Sequence, residues 1–134
     1  MAPPTDRLVR PVAVVGGLRT PFCRSGGGYA SLSTKALLTT VLRAMVERFE
    51  LTGVRLGEVN AGAVISHSRD WNLAREAVLS TGLDPRTPAT TMQQACGTSL
   101  QAALTAAACT RTRSSPAAGT GRGSSRTSIV SAAP

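Results

Sequence analysis

The segment Thr91-Met-Gln-Gln-Ala-Cys96-Gly-Thr-Ser-Leu-Gln101 decides how this chain is read, because it places a thiol between a strand pattern and a helix start. Residues 88–93 read as a short strand, and residues 98–108 as a helix that is apolar nearly all round. Such a helix suits burial between two layers. Thr98 with Gln101 fits a capping box, in which hydroxyl and amide each satisfy a backbone N–H of the other residue. Cys96 then stands just before the first turn, where unpaired N–H groups and the helix dipole favour an anion, so the sulfur is favoured as a nucleophilic thiolate. Gly97 lacks a Cβ, which leaves room for a ligand carbonyl and makes its N–H a candidate oxyanion donor. The same position equally describes a buried structural cysteine, one of the most often buried residue types.

Upstream the rhythm is regular. Pro11-Val-Ala-Val-Val15 is an unbroken apolar run closed by Gly16-Gly17, the pattern of a strand covered on both faces. Leu38, Leu42, Met45 and Phe49 recur at helical spacing, with Ser33 or Thr34 as N-cap and Gly53 shortly past the end. Val59, Ala61, Ala63 and Ile65 alternate along a second strand. Asn72 can cap a helix with apolar Leu73, Ala74, Ala77 and Val78, and Gly82 fits its left-handed C-terminal position. The order βαβαβα implies an α/β fold with a parallel or mixed sheet and helices packed on it. Such sheets carry their chemistry at the carboxyl ends of the strands, which is where Cys96 falls.

Composition narrows the function classes. A chain of 134 residues accommodates one domain, or one domain with a disordered end. With 42% hydrophobic but only 3% aromatic residues, any core is built from Ala, Val and Leu. No stretch approaches the roughly 20 apolar residues of a bilayer-spanning helix, so no membrane partner is expected. Residues 1–10 hold two Pro and three charges where a signal peptide has its apolar core, which predicts a cytoplasmic protein. Cys23, Cys96 and Cys109 are odd in number and match no metal-binding spacing, so free thiols and no metal are expected. Gly26-Gly27-Gly28 lacks the Lys-Ser/Thr of a phosphate loop, and Gly119-Thr-Gly-Arg-Gly123 follows no strand, so neither predicts a nucleotide site. Arg19, Arg24, Arg69 and Arg75 read as scattered surface charge with phosphate contact as the sharper alternative.

Residues 110–134 differ from the rest. They hold four Arg and no acid, and so carry half of the net charge of +8. With Ile129 and Val130 as their only large aliphatics, they bury too little to offset chain entropy, and a disordered tail is expected. A nucleic-acid role for Arg113, Arg122 and Arg126 is not favoured, since the charges are sparse and no aromatic is present to stack on bases.

The segment Gln93-Gln-Ala-Cys96-Gly-Thr-Ser-Leu-Gln-Ala102 resembles the nucleophile motif of the thiolases, the acyl-CoA C-acyltransferases. Val12-Ala-Val-Val-Gly-Gly-Leu-Arg19-Thr-Pro-Phe22 resembles the family's first strand and following loop. His67-Ser-Arg-Asp70-Trp-Asn-Leu-Ala-Arg75-Glu is similar to the second loop and helix of its long-chain, trifunctional β-subunit type. The likeness runs over about residues 10–108, and the first domain is placed at residues 10–109. It implies the N-terminal portion of a layered fold of two similar halves that usually forms a homodimer.

The resemblance also implies the chemistry. Cys96 becomes the acyl-thioester nucleophile, coenzyme A thioesters are the substrates, and no bound cofactor is required. The reaction is 3-oxoacyl-CoA cleavage in fatty-acid β-oxidation, or acetoacetyl-CoA formation. The family's activating His, its acid/base Cys and a second oxyanion hole belong to the C-terminal half. His67, the sole histidine, stands in the wrong place for that base and reads as a loop residue, with a substrate-access or dimer-loop role as the alternative. Likeness stops near Cys109, and the acid-free composition beyond it suggests an out-of-frame tail on a truncated, inactive thiolase. The competing expectation is a non-catalytic product serving only as a dimerisation or interaction fragment.

Overall fold

The computed structural model describes residues 12–112 and 128–132. Three parallel strands form one sheet, in the order β2-β1-β3, with β1 spanning Glu58–Gly62, β2 Ala89–Met92 and β3 Ser128–Ala132. In register, Val59 faces Ala89 on one side and Ile129 on the other. Helices α1 (Thr34–Arg48) and α2 (Leu73–Leu79) pack on one face, and α3 (Thr98–Thr112) contacts β1 and β3 from the other. The α/β class and the parallel sheet agree with the sequence reading.

Alternation along β1 explains the two faces. Val59 and Ala61, with Ala63 beyond the strand, join Leu38, Leu42 and Val46 of α1 and Leu73, Ala77 and Val78 of α2 in the main core. Gly62 points the opposite way, toward Thr98 at the start of α3, where Ala102 and Ala106 are buried. Small side chains along α3 let that helix lie close to the sheet.

The helix starts form as their caps predict. The Ser33 hydroxyl accepts from Ala36 N at 3.1 Å, and the Asn72 side chain accepts from Arg75 N at 3.2 Å. The ends differ from expectation. Glu50 takes the first left-handed position after α1 at φ 54°, Leu51 N closes back on Val46 O at 2.8 Å, and Gly53, shortly past the end as expected, is also left-handed at φ 72°. Half-buried Leu51 packs on the core there, which offsets the cost of a left-handed Glu. Gly82 has no left-handed φ, since α2 already ends at Ser80, whose N–H bonds to Ala77 O.

Two expectations fail in the sheet. Residues 12–15 form no strand, and Val14 and Val15 lie 91% and 82% exposed, because β2 and β3 take both edges of β1. Residues 128–132, read as part of a disordered tail, form β3 instead. Their Ile129-Val130 pair supplies β-branched residues to an edge that would otherwise stay unpaired. Most of that expected tail, 113–127 and 133–134, lies outside the described residues, as does 1–11. Among the described residues, no helix is long and apolar enough to cross a membrane.

Two polar features of this fold are testable. Asn60 in β1 is fully buried, and neither of its side-chain polar atoms has a hydrogen-bond partner among the described residues. A buried polar group left unpaired costs about 1–3 kcal/mol. Asn60→Val is therefore expected to stabilise the chain by about that amount, raising the urea midpoint with the slope unchanged. An unmoved or lowered midpoint contradicts this.

Asp84 braces the turn between α2 and β2. Its Oδ1 accepts from Arg86 Nε at 3.1 Å and Arg86 N at 2.8 Å, and its Oδ2 from Arg86 Nη2 at 2.6 Å. The Arg86 side chain first, and its backbone N–H second, hold the Asp84 carboxyl down at about 2. A depressed acid stabilises the fold above its unfolded value of about 3.9, and that stabilisation disappears as pH falls toward about 2. Asp84→Asn should lower stability at neutral pH and flatten the acid limb of a stability–pH curve between about pH 4 and 2. A limb equally steep in the variant would assign the acid sensitivity elsewhere.

Candidate active site

Cys96 lies at the carboxyl end of the sheet, four residues after β2, in a single 3-10 turn over Ala95–Gly97 that leads into α3. It is exposed, which removes the reading of it as a buried structural cysteine. The turn is tightly tied. Gly97 N donates to Gln94 O at 2.8 Å, Gln94 N donates to Thr98 Oγ1 at 2.9 Å, and Thr98 Oγ1 donates to Ala95 O at 2.8 Å. Thr98 is buried, while Gln94 and Ala95 are exposed, so the clamp is anchored from its buried side.

The clamp corrects the expected capping box. Thr98 has helical φ and ψ of −55° and −46° and is the first residue of α3, not its N-cap. Its hydroxyl bonds backward to Gln94 and Ala95, and Gln101 Nε2 donates along the helix to Thr105 Oγ1 at 3.3 Å. The physical reason is the turn. With Ala95 left-handed at φ 44°, the chain doubles back and brings the Gln94 and Ala95 backbone over the Thr98 hydroxyl. A left-handed alanine costs on the order of 1–2 kcal/mol, and it stands immediately before the thiol. Nothing in the sequence signals it, because alanine is an unusual choice for that conformation.

At Gly97, a Cβ would meet nothing within 4 Å, so the space beside it is open. Its N–H bonds to Gln94 O in this conformation. Open space suits an approaching carbonyl, whereas that N–H would have to leave its present partner to serve an oxyanion.

The loop after β1 reaches the same end of the sheet. Gln93 Nε2 donates to Val64 O, and Ser66 Oγ donates to Gln93 Oε1 at 3.1 Å. Thr91 Oγ1 donates to Asn72 Oδ1 at 2.8 Å and accepts from Ala74 N at 2.9 Å, locking the start of α2 to β2. These ties have no local signal in the sequence at Gln93, Ser66 or Thr91. Only parallel pairing of β1 with β2 brings them together.

His67 precedes the 3-10 turn Ser68–Asp70, exposed, with its carbonyl accepting from Asp70 N at 3.1 Å. That is a loop position, as expected. The candidate phosphate-contacting arginines are partly committed elsewhere. Arg75 Nη1 donates to Thr87 O at 3.0 Å, Arg69 lies 3.6 Å from Asp70, and Arg19 stacks 4.5 Å over the Phe22 ring. Cys23 is exposed in the loop preceding α1, and Cys109 lies in the C-terminal part of α3. Among the described residues, no cluster of His, Cys, Asp and Glu could hold a metal.

Known proteins match this arrangement in sequence. The family model described as the thiolase N-terminal domain matches residues 12–118, taking in both strands β1 and β2, the Cys96 turn and α3. The chain belongs to the thiolase family. It is 36% identical over 96 residues to an acetyl-CoA acetyltransferase of Chromobacterium violaceum, a match covering 72% of this chain and 24% of that protein. To the mitochondrial trifunctional enzyme subunit beta of Bos taurus it is 37% identical over 98 residues, covering 73% and 21%. A 3-ketoacyl-CoA thiolase of a Shewanella species is 34% identical over 96 residues, covering 72% and 22%. The matched region thus spans under a quarter of the length of each of these thiolases.

Proposed function

We propose that this thiolase-family chain carries the acyl-accepting step of a thiolase, with Cys96 as the nucleophile. The observation that supports it most is an exposed thiol on a strained, clamped turn at the carboxyl end of a parallel sheet. In acyl transfer, the sulfur of Cys96 attacks the thioester carbonyl of an acyl-CoA and loses its proton to solvent or a base. The carbon–sulfur bond to CoA breaks, CoA leaves as a thiol, and the acyl group remains on Cys96 as a thioester. In the degradative direction the attack falls on the 3-oxo carbon of a 3-oxoacyl-CoA. The bond between the second and third carbons then breaks, and the departing two-carbon enolate takes up a proton to become acetyl-CoA. Splitting the reaction through a covalent thioester replaces one difficult step by two easier ones.

Both directions are open to this reading, cleavage of 3-oxoacyl-CoA and formation of acetoacetyl-CoA. One relative is named for acetyl transfer and another for 3-ketoacyl-CoA. The clamp serves the chemistry by holding the backbone on both sides of Cys96, since the turn has little freedom left to lose on acylation. A complete cycle also needs a base and a proton donor. By family resemblance these come from a C-terminal half that the matched region does not include. A homodimer and a cytoplasmic setting belong to the same proposal.

The test is to incubate the full chain with acetyl-CoA, digest it, and locate any acetyl group by peptide mass. Acetylation concentrated on the peptide containing Cys96 is the expected result. Modification spread equally over the Cys23, Cys96 and Cys109 peptides, or absent from folded protein, overturns the assignment.

A further inference from the structure

Among the described residues, the Thr98 hydroxyl is the one side-chain group that bonds to the backbone of residues 94–97. The other ties of the Cys96 turn are main chain. Gly97 N donates to Gln94 O at 2.8 Å, and Thr98 N donates to Ala95 O. Such bonds close a 3-10 turn whatever the side chains are. They leave out Gln94 N, which the Thr98 hydroxyl reaches at 2.9 Å, joining the chain before Cys96 to the chain after it.

The turn needs such a tie because Ala95 is left-handed at φ 44°. For a residue with a Cβ that conformation is disfavoured by a factor of roughly 5–30. Left to itself, residue 95 would return to an ordinary conformation and carry the Cys96 backbone with it. Two hydrogen bonds from one hydroxyl offset a bias of that size. The hydroxyl is itself held in direction. Thr98 is buried, and its methyl lies against Gly62 of β1, 2.5 Å from where a Cβ there would stand. With χ1 stiff in a β-branched residue and the methyl seated in the space that Gly62 leaves, the hydroxyl points toward Gln94 and Ala95.

We propose that Thr98 is the positioning residue of the Cys96 nucleophile: its hydroxyl keeps Ala95 left-handed and so fixes where Cys96 stands before α3, with β1 as the reference through Gly62. This rests on the reading of Cys96 as the acyl acceptor. The clamp is specific to a hydroxyl, because one atom must donate to Ala95 O and accept from Gln94 N. Valine keeps the shape of threonine with neither capacity, and serine keeps both capacities without the methyl. Since Gln94 is exposed, water can take up its N–H once the hydroxyl is gone, and the fold outlasts the clamp.

The test is the rate of acetyl transfer from acetyl-CoA to Cys96 in the full chain, read by peptide mass, beside hydrogen exchange of the Gln94 amide. Thr98→Val should lower the transfer rate about tenfold or more and speed exchange at Gln94 about tenfold. Thr98→Ser and Thr98→Ala both lack the methyl and differ in the hydroxyl alone, so the serine variant should transfer about tenfold faster than the alanine variant. That pair reports even where Thr98→Val fails to fold. Adding Ala95→Gly to Thr98→Val should recover at least about threefold in rate, because glycine takes the left-handed conformation without steric cost. A merely structural role for Thr98 gives no such rescue. Equal rates in Thr98→Ser and Thr98→Ala overturn the proposal, as does a Thr98→Val rate that Ala95→Gly leaves unmoved. A parent chain that takes no acetyl group on Cys96 removes the nucleophile and the positioning role together, a result distinct from variants that match an active parent.

Discussion

Gly62→Ala is expected to be among the most damaging single-methyl additions in this chain, and to disable the Cys96 turn along with the fold. A Cβ at Gly62 would overlap Met92 O and stand 2.5 Å from Thr98 Cγ2. The first neighbour is backbone of the paired strand, so no side-chain rotation relieves it. Gly62 is paired with Met92 in the β1–β2 ladder, and the clash therefore forces the two strands apart at their carboxyl ends. The second neighbour is the residue whose hydroxyl holds Gln94 N and Ala95 O. Overpacking of a close-packed site costs typically 1–3 kcal/mol, and a rigid backbone contact puts this substitution at or above the upper end. Urea unfolding should show the loss, and acyl transfer to Cys96 should fall further than the unfolded fraction accounts for. A midpoint within about 0.5 kcal/mol of the parent would show that the sheet yields at this point without cost.

Cys96→Ser is expected to remove the acyl adduct while leaving the fold unchanged. Serine keeps the size of the side chain, and the position is exposed, so stability should move by less than about 0.5 kcal/mol. The chemistry should not survive. A thiol reaches its nucleophilic anion readily near neutral pH, whereas an alcohol needs a dedicated adjacent base, and the turn supplies none from its own residues. Adduct formation should drop by roughly two orders of magnitude or more. Cys23→Ser and Cys109→Ser should each acylate at the parent rate. The measurement is a time course of intact mass with an acyl-CoA, together with thermal unfolding of each variant. Equal adduct in Cys96→Ser, or loss of adduct in Cys23→Ser, would move the nucleophile elsewhere.

These two substitutions mark the division between what is legible residue by residue and what is not. The role proposed for Cys96 is carried by a run of ten residues, Gln93 to Ala102, which lies inside the family match over residues 12–118. The importance of Gly62 is invisible in that way. Gly62 sits among alternating apolar residues, and only parallel pairing with Met92, with α3 folded over the junction, makes its missing Cβ essential. The helix starts were legible because a cap acts within four residues of itself, as Ser33 and Asn72 do. The expected Thr98 capping box failed for a local reason of a different kind. A left-handed Ala95 reverses the direction from which the hydroxyl finds its partners, and alanine does not advertise that conformation.

By itself the sequence determined the α/β class and the order of elements from α1 to α3, the caps of α1 and α2, the apolar character of α3, and a thiol at a strand-to-helix junction. All of these rest on spacing and on contacts between near neighbours, where a residue's own chemistry suffices. Tertiary structure decided the rest: which segment pairs with the free edge of β1, that Val14 and Val15 stand outside the sheet, and that the clamp on Cys96 runs backward from Thr98. Strand pairing is a competition between distant segments for the same hydrogen bonds, and its outcome depends on packing over the whole sheet. Residues 12–15 have the better strand pattern and residues 128–132 hold the ladder, so local preference does not predict the occupant of that edge.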